Sequence, residues 1–328
     1  METNEIRQVV AETGKQLLEQ RLVARTWGNV SCRINDHSYA ITPSGLDYMH
    51  MKAEDIVIMN MDDGTWQGNH KPSGERGIHT AAYQTHKNAG FVIHTHQNYA
   101  TALGLANVEN MHMTEEERLI LGGIALAGYG LPGTGTLSKN VRSVLETGAN
   151  VVLMAHHGAL ICGTDREDAF AKAILLEKIC ERSLRGQPKE NEYTAGDATA
   201  IMKELGAAYS FVGLTNDAAV LKAANGKMPI IAQLDDMAQM IGHKIPIVQN
   251  DPEDIVNGLK HTDAVLVSGI GAIVKAETDD DRDALCLLVE KACVSALHTE
   301  ALGVKGKLPY IDVALMRFVY QQKYSKQK

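Results

Sequence analysis

Two histidines stand two residues apart in a β-forming segment that begins at Phe91. Successive side chains alternate between the two faces of a strand, so His94 and His96 would present both imidazoles to one cation. His157, at the end of a second strand-like run, can supply a third nitrogen. Three neutral imidazoles with a vacant fourth position form a catalytic zinc site, whereas structural zinc usually has four protein ligands. The alternative is that these are ordinary packing histidines.

One carboxylate, Glu75, precedes a predicted helix. A carboxylate beside a carbon acid can take a proton and later return it. The alternative is a solvated glutamate at a helix N-terminus, where the helix dipole favours negative charge. Three turns of small residues also supply amides and hydroxyls that can cradle a phosphate, although each alone is most often an ordinary turn. These turns are Gly28–Ser31, Thr42–Gly45 and Ser73–Gly74.

Hydrophobic periodicity predicts the elements that position these side chains. An amphipathic helix should open the chain, from about Ile6 to Leu18. Thr164–Glu167 fits a capping box, so a helix should run from there to about Arg185. The polar stretch Arg185–Glu192 is the best linker candidate. The predicted strands are Val30–Ile34, Tyr39–Ile41, Ile56–Met61, Phe91–His96, Val151–Ala155 and Ala159–Cys162, and strands mixed with helices indicate an α/β fold.

Past that linker the sequence repeats itself. Shifted by 113 positions without gaps, Val151–Leu184 overlays Ala264–Leu297 with eleven identities in thirty-four positions. Any strand–turn–helix unit shares small and aliphatic residues, but here a charged Glu-Lys pair matches as well. The pair His156-His157 becomes Gly269-Ile270, and nothing near residues 205–220 resembles His94–His96. If only one copy keeps the histidines, a functional role for them is favoured over a packing role.

Composition limits the classes of partner. The chain has 328 residues, of which 45% are hydrophobic, and 40 acidic against 32 basic side chains give a net charge of −8. That balance argues against nucleic acid or an anionic membrane as the main partner, but a local pocket for a small phosphate stays open. No apolar run approaches the roughly 18–20 residues of a membrane span, and the N-terminus lacks a signal-peptide pattern. Five scattered cysteines favour neither a disulfide framework nor a thiolate zinc site. We expect a cytoplasmic protein of two domains.

Residues from about 5 to 185 resemble the class II aldolase/adducin family, particularly its L-fuculose-1-phosphate aldolase-like enzymes. The segments that carry the resemblance stand in the family's order and at similar separations: Gly28–Ser31, Ile41–Gly45, Pro72–Glu75, His94–His96 and His156–Gly158. The resemblance implies a three-layer domain with a central, mainly antiparallel sheet. It also implies one Zn²⁺ per chain, with Mn²⁺, Co²⁺ or Fe²⁺ as alternatives.

The resemblance assigns a role to each matching residue. Glu75 becomes the proton-transfer residue, which can also approach the metal when substrate is absent. Tyr129 is assigned to the aldehyde end, with an ordinary tyrosine or a carboxylate of Glu115–Glu117 as alternatives. Gly74 replaces the family's usual second serine, which keeps a backbone amide but removes one hydroxyl. The implied metal ligands are His94, His96 and His157, and the implied phosphate-binding residues are Gly28, Asn29, Ser44, Gly45, Ser73 and Gly74.

These roles predict a metal-dependent aldolase. It would cleave a phosphorylated ketose to dihydroxyacetone phosphate and an aldehyde, through an enediolate that the metal stabilises. Dehydration and 4-epimerisation of a sugar phosphate, or decarboxylation, are alternatives on the same site. The family's epimerases typically carry aspartate where Glu75 stands, and its decarboxylases often dispense with the phosphate turns. A non-catalytic, adducin-like interaction scaffold is a further alternative.

We expect residues 1–188 to form the catalytic domain and residues 189–328 a degenerate repeat that lacks metal ligands. The expected partner is a small phosphorylated sugar, with no nucleic acid and no membrane. Because aldolases of this family form rings of four, a homo-oligomer is expected, and two chains could mimic the four units.

Overall fold

A computed structural model describes residues 2–106, 111–189 and 191–323, so Glu190 of the predicted linker lies outside the described residues. The chain divides into two compact units, Met1–Ser183 and Leu184–Lys328, called unit 1 and unit 2 below. Within the described residues, no helix combines the length and apolar character that crossing a membrane requires.

Unit 1 contains six helices and eight strands within its described residues. The helices are α1 (Thr3–Glu19), α2 (Arg76–Thr85), α3 (Asn98–Leu103), α4 (Glu115–Leu121), α5 (Gly135–Leu145) and α6 (Arg166–Ser183), with a short 3-10 helix at Ala53–Asp55. The strands are β1 (Asn29–Arg33), β2 (Ser38–Ile41), β3 (Val57–Asn60), β4 (Trp66–Gln67), β5 (Phe91–Thr95), β6 (Ile124–Ala127), β7 (Val151–Met154) and β8 (Gly158–Gly163). Every strand predicted from the sequence is therefore present, to within one or two residues at each end.

The eight strands form one sheet in the order β4-β3-β2-β1-β5-β8-β7-β6. Every neighbouring pair is antiparallel except β6 and β7, which run parallel. Helices α2 and α5 share one apolar core with the sheet, in which Ile78 and Leu137 pack with strand residues such as Val92. Helix α1 packs on β1 and β2, and helices α3 and α6 pack on β5, β7 and β8. The three-layer fold with a mainly antiparallel sheet is confirmed.

One detail of the predicted helix start is wrong. The amide of Asp168 donates to the Asp165 side chain, and the Asp168 carboxylate accepts from the amide of Thr164. The side chain that caps this helix is thus that of Asp165, one residue after the predicted Thr164, and Glu167 is left exposed. Aspartate is as good a capping acceptor as threonine, and Asp168 gains a further partner in Lys172 at 2.8 Å.

The predicted linker is more ordered than its polar composition indicates. The amide of Arg185 donates to Nδ1 of His298, and the Gln187 side chain donates to the carbonyl of Val294. A Cβ added at Gly186 would lie 2.5 Å from the Leu297 carbonyl oxygen. This stretch therefore packs against a helix of unit 2, and the division between units falls after Ser183.

Unit 2 is a further α/β region. Its helices are α7 (Thr199–Ala208), α8 (Ala218–Asn225), α9 (Asp235–Met240), α10 (Pro252–Leu259), α11 (Asp279–Leu302) and α12 (Tyr310–Lys323). Its strands are β9 (Phe211–Thr215), β10 (Ile230–Ile231), β11 (Lys244–Ile245), β12 (Ile247–Val248), β13 (Ala264–Val267) and β14 (Gly271–Ala276). The main sheet has the order β12-β13-β14-β9, in which β12 and β13 are parallel and the other pairs antiparallel. Helices α7 and α10 share its apolar core.

Candidate metal centre

The central strand β5 carries the first histidine of the site. His94 is fully buried, and it pairs in register with Asn29 on β1 and Leu160 on β8. Val92, two residues earlier, belongs to the core under α2 and α5, so His94 faces the same side of the sheet. His96 follows directly after the strand and is 7% exposed. The period of two in the sequence thus delivers both rings to one place.

The third histidine comes from the turn between β7 and β8. His157 is 2% exposed, and its ring centroid lies 5.0 Å from that of His94 and 4.8 Å from that of His96. The next residue, Gly158, permits this approach, because an added Cβ would lie 2.2 Å from the Thr95 carbonyl oxygen. The preceding residue, His156, turns the chain at a φ of 68°. Glycine is therefore required for steric reasons at the position after His157.

Glu75 immediately precedes α2 and completes the cluster. One carboxylate oxygen lies 2.7 Å from Nε2 of His157, and the other lies 3.1 Å from Nε2 of His94. One possible ligand atom from each of Glu75, His94, His96 and His157 lies within 4.8 Å of the others. Burial raises the pKa of the Glu75 carboxyl, but the adjacent His157 and His94 outweigh burial and hold that pKa well below its ordinary value. Glu75 is therefore ionised at neutral pH.

The hydrogen bonding of His94 tests whether these residues fit a metal ion. Its Nδ1 lies 2.9 Å from the carbonyl oxygen of Ala159, which can only accept, so Nδ1 carries the hydrogen. Nε2 then faces the Glu75 carboxylate at 3.1 Å. A divalent cation between them would satisfy the ring nitrogen and the carboxylate, and a backbone carbonyl on the other ring nitrogen is the usual support of a metal-binding histidine. The donor set fits a divalent metal ion.

The three turns predicted to bind phosphate lie beside this cluster and are tied to one another. Pro43 and Pro72 form an isolated antiparallel bridge, and the Ser73 amide donates to the Thr42 carbonyl. The Thr42 hydroxyl in turn accepts from the amide of Val30. All six predicted residues therefore belong to turns that these contacts join. Gly28, Asn29 and Ser73 are buried, Gly45 is half-buried, and Ser44 and Gly74 are exposed, with φ of 84° at Gly28 and 74° at Gly45.

Tyr129 contacts His156, the residue before His157 of the cluster. Its ring packs edge-on against His156, with centroids 5.2 Å apart, and the side chain is half-buried. Of the alternative acids, Glu117 belongs to the cap of α4: its carboxylate accepts from the Thr114 amide, and its own amide donates to the Thr114 hydroxyl. The Glu117 carboxylate also pairs with Arg182. Glu117 therefore already has a structural role at that helix start.

Sequence reasoning missed the groups that line and support the cluster. The Trp27 ring lies 6.4 Å from the His96 ring. Behind Asn29 lie three buried polar side chains, those of His79, Ser31 and Tyr83. One signal was present: His79 follows Glu75 by four residues, which places it about one helical turn after the residue that precedes α2.

Comparison with known proteins agrees with this geometry. Residues 8–184 match the family model of the class II aldolase and adducin N-terminal domain. An L-fuculose phosphate aldolase from Methanococcus maripaludis is 30% identical over 165 residues, covering 50% of this chain and 88% of that protein. The L-ribulose-5-phosphate 4-epimerase UlaF of Salmonella paratyphi C is 30% identical over 189 residues, covering 54% of this chain and 82% of that protein.

Solved structures show the same fold. An L-fuculose 1-phosphate aldolase matches with a TM-score of 0.50 at 30% identity, covering 54% of this chain and 84% of its own. YgbL of Escherichia coli, a putative aldolase/epimerase/decarboxylase, matches with a TM-score of 0.51 at 21% identity, covering 55% of this chain and 88% of its own, which supports the fold alone. The fold, the family match and the His₃Glu cluster agree, and this chain belongs to the class II aldolase and adducin N-terminal domain family.

Proposed function

We propose that this protein is a metal-dependent aldolase that cleaves a phosphorylated ketose to dihydroxyacetone phosphate and an aldehyde. The observation that carries the proposal is the convergence of three buried histidines and Glu75 on one point beside the joined turns. An adducin-like scaffold would have no use for that convergence. Three imidazoles leave coordination positions open, which distinguishes a catalytic from a structural site.

His94, His96 and His157 would hold the ion, with Glu75 as a fourth ligand before substrate enters. When bound, the divalent cation supplies a Lewis acid that polarises the ketose carbonyl. We propose Zn²⁺, with Mn²⁺, Co²⁺ and Fe²⁺ as alternatives, because imidazole and carboxylate ligands suit all four.

Glu75 would handle the proton of the reacting carbon. Cleavage breaks the bond between C3 and C4 of the ketose and leaves the electron pair on C3. The C4 hydroxyl must lose a proton as the aldehyde forms, and C3 must gain one to give dihydroxyacetone phosphate. We assign the first transfer to Tyr129, whose hydroxyl would accept the C4 proton as it gives up its own. The ionised Glu75 carboxylate would take up one proton and deliver it to C3.

The joined turns would bind the phosphate. Asn29, Ser44 and Ser73 offer side-chain donors, and Gly28, Gly45 and Gly74 offer backbone amides and room for a close approach. Binding energy from this non-reacting end helps to position C3 and C4.

A 4-epimerase is the second candidate. The relative named L-ribulose-5-phosphate 4-epimerase is 30% identical to this chain, the same value as for the relative named L-fuculose phosphate aldolase. Glutamate at position 75 favours the aldolase, because the family's epimerases typically carry aspartate there.

Product analysis separates the candidates. We would load the purified chain with Zn²⁺, measure its metal content, and assay L-fuculose 1-phosphate, L-ribulose 5-phosphate and related ketose phosphates. Release of dihydroxyacetone phosphate is expected; conversion that preserves the carbon chain would instead establish an epimerase or dehydratase. A chain that holds metal but converts no ketose phosphate would overturn both.

We also propose that unit 2 is a degenerate copy of part of unit 1. Its strand order and strand directions, and the glycine shared by Gly158 and Gly271, support this origin. The homo-oligomer and the cytoplasmic location stay predictions; sedimentation of the active enzyme tests the first, and a fully active monomer would contradict it.

A further inference from the structure

A chain of buried polar side chains runs from Glu75 into the core of unit 1. Nδ2 of Asn29 donates to a Glu75 carboxylate oxygen at 3.1 Å, and Oδ1 of Asn29 is hydrogen-bonded to Nε2 of His79. Nδ1 of His79 lies 2.6 Å from the Ser31 hydroxyl, which lies 2.8 Å from the Tyr83 hydroxyl. Ser31, His79 and Tyr83 are fully buried, and Asn29 is 3% exposed.

The orientation of the Asn29 amide fixes the direction of every hydrogen bond in this chain. Its NH₂ group donates to Glu75, and its Oδ1, which can only accept, faces Nε2 of His79. Nε2 of His79 must then donate, which leaves Nδ1 as an acceptor in the neutral ring. The Ser31 hydroxyl therefore donates to His79, and the Tyr83 hydroxyl donates to Ser31.

The surroundings of His79 keep the ring neutral. Burial lowers the pKa of His79 from 6.5 to about 3, and the nearby His94 lowers it further than Glu75 raises it. The ring thus holds one hydrogen throughout the physiological range, and the Asn29 Oδ1 acceptor places it on Nε2.

A wrongly oriented Asn29 would oppose the proposed chemistry. If the amide flipped, its carbonyl oxygen would face the Glu75 carboxylate and, in the aldolase proposed above, an incoming phosphate. Both are anions, so the flipped amide would repel what the correct one binds. The NH₂ group in the observed orientation has two N–H bonds, one for Glu75 and one for substrate.

We propose that His79 is a positioning residue, which locks the amide of Asn29 with its NH₂ group towards Glu75 and the substrate phosphate. The part that concerns substrate rests on the proposed function, whereas the lock itself does not. His79 would act entirely through Asn29 and would touch neither the metal nor the reacting carbons.

The first test determines which ring nitrogen of His79 carries the hydrogen, and it needs no activity measurement. Full-length protein labelled with ¹⁵N-histidine is examined by NMR between pH 5.5 and 8.5, and the His79 signals are assigned by their loss in H79Q. A neutral Nε2–H ring that does not titrate is expected. In S31A, which removes the donor to Nδ1 but keeps His79, the Nδ1–H form should gain population; this variant also assigns His79 if H79Q does not fold.

The second test is a double-mutant cycle between His79→Leu and Asn29→Ala on the ketose phosphate that the wild type cleaves. Loss of uniform phosphate binding raises KM with little change in kcat, so H79L should raise KM about tenfold. In the N29A background, H79L should add less than about twofold. The matched control is His86→Leu, at a half-buried histidine just after α2 whose ring is hydrogen-bonded to the Ala149 carbonyl; it should leave KM unchanged.

Each result decides the proposal. A charged or Nδ1–H His79 in the wild type overturns the lock, and so does an equal KM effect of H79L in both backgrounds, which would indicate general loss of structure. If no ketose phosphate is cleaved, the proposed function fails, but the NMR result still confirms or overturns the lock.

Discussion

The two units of this chain share an arrangement of four strands. They differ in the side chains at the positions that form the His₃Glu cluster in unit 1. In unit 1, β5-β8-β7-β6 lies between α2 and α5 on one side and α3 and α6 on the other. In unit 2, β9-β14-β13-β12 has the same strand directions, with α7 and α10 in its core and α8 and α11 packed on its strands. Even a close contact is shared: a Cβ at Gly158 would lie 2.2 Å from the Thr95 carbonyl oxygen, and one at Gly271 would lie 2.3 Å from that of Thr215.

Each position of the His₃Glu cluster in unit 1 has a counterpart of another kind in unit 2. The residue before helix α2 is Glu75, and the residue before α7 is Ala198. Aligning β5 with β9 from their first residues, and β8 with β14 by the shift of 113, gives the other three counterparts. His94 corresponds to Leu214, His96 to Asn216 and His157 to Ile270, and Ala198, Leu214 and Ile270 belong to one apolar cluster.

This difference shows what the fold itself requires. Unit 2 keeps the strand order and the closely packed glycine although it lacks the three histidines and the glutamate. The buried histidines are therefore not needed for packing. Apolar side chains can fill the same place. Among the described residues, the cluster in unit 1 is the only group of three or more such side chains that could hold a metal.

The largest effect should come from removing a metal ligand. We expect one divalent ion per chain, and His94→Ala should weaken its binding by more than about 100-fold, beyond the loss typical of a residue that only supports a ligand. Elemental analysis and metal titration measure both. Two ions per chain, or a fully loaded H94A, would contradict the contrast between the units.

Glu75→Gln should keep the ion but lower kcat by about 10²–10⁴-fold, because the amide cannot transfer a proton. Steady-state rates at confirmed metal content test this. The control is Asp197→Asn, beside Ala198 at the corresponding helix start of unit 2, where Asp197 caps Thr199. That variant should retain wild-type turnover, and full activity in E75Q would remove Glu75 from the mechanism.

In unit 2 the corresponding position should matter for stability alone. Ile270 is 2% exposed within the apolar cluster, so Ile270→Ala should cost about 2–4 kcal/mol in the unfolding free energy of this unit. Denaturant unfolding or calorimetry measures the change in unfolding free energy. Ile311→Ala, at a position 78% exposed, should change it by less than about 0.5 kcal/mol. Loss of metal in I270A would show that unit 2 contributes to the site.

The smallest effect should come from restoring the family's second serine. A Cβ added at Gly74 meets nothing within 4 Å, so Gly74→Ser gains a hydroxyl beside the proposed phosphate at little steric cost. One hydrogen bond of about 1 kcal/mol would lower KM for a ketose phosphate about fivefold. Gly28→Ser is the opposing control, because its φ is 84° and its Cβ would lie 2.6 Å from the His94 carbonyl oxygen. A higher KM in G74S would argue against a phosphate at this turn.

Much of unit 1 could be predicted because its signals are local. The β-forming residues of Phe91–His96 and the small residues of Gly28–Ser31 identified a strand and a turn, and the motif order identified the family. The cap at Asp165 was missed because Thr164 and Asp165 are both good acceptors one residue apart. Strand β9 was missed as the counterpart of β5 for two reasons. Only Phe, Val and Thr of its five residues are identical to those of β5, and the two strands align only at a shift other than 113.

By itself the sequence determined which side chains could perform chemistry, because imidazole pairs at a spacing of two and glycine turns rarely occur together by chance. The order of the sheet, the joining of the turns and the hydrogen-bond chain through His79 were decided by the tertiary structure. Several of these contacts link distant residues, such as Asn29 with Glu75, 46 positions apart, and His94 with Ala159, 65 positions apart. No local pattern encodes which distant partner a buried polar atom will find, because that choice depends on how whole elements pack.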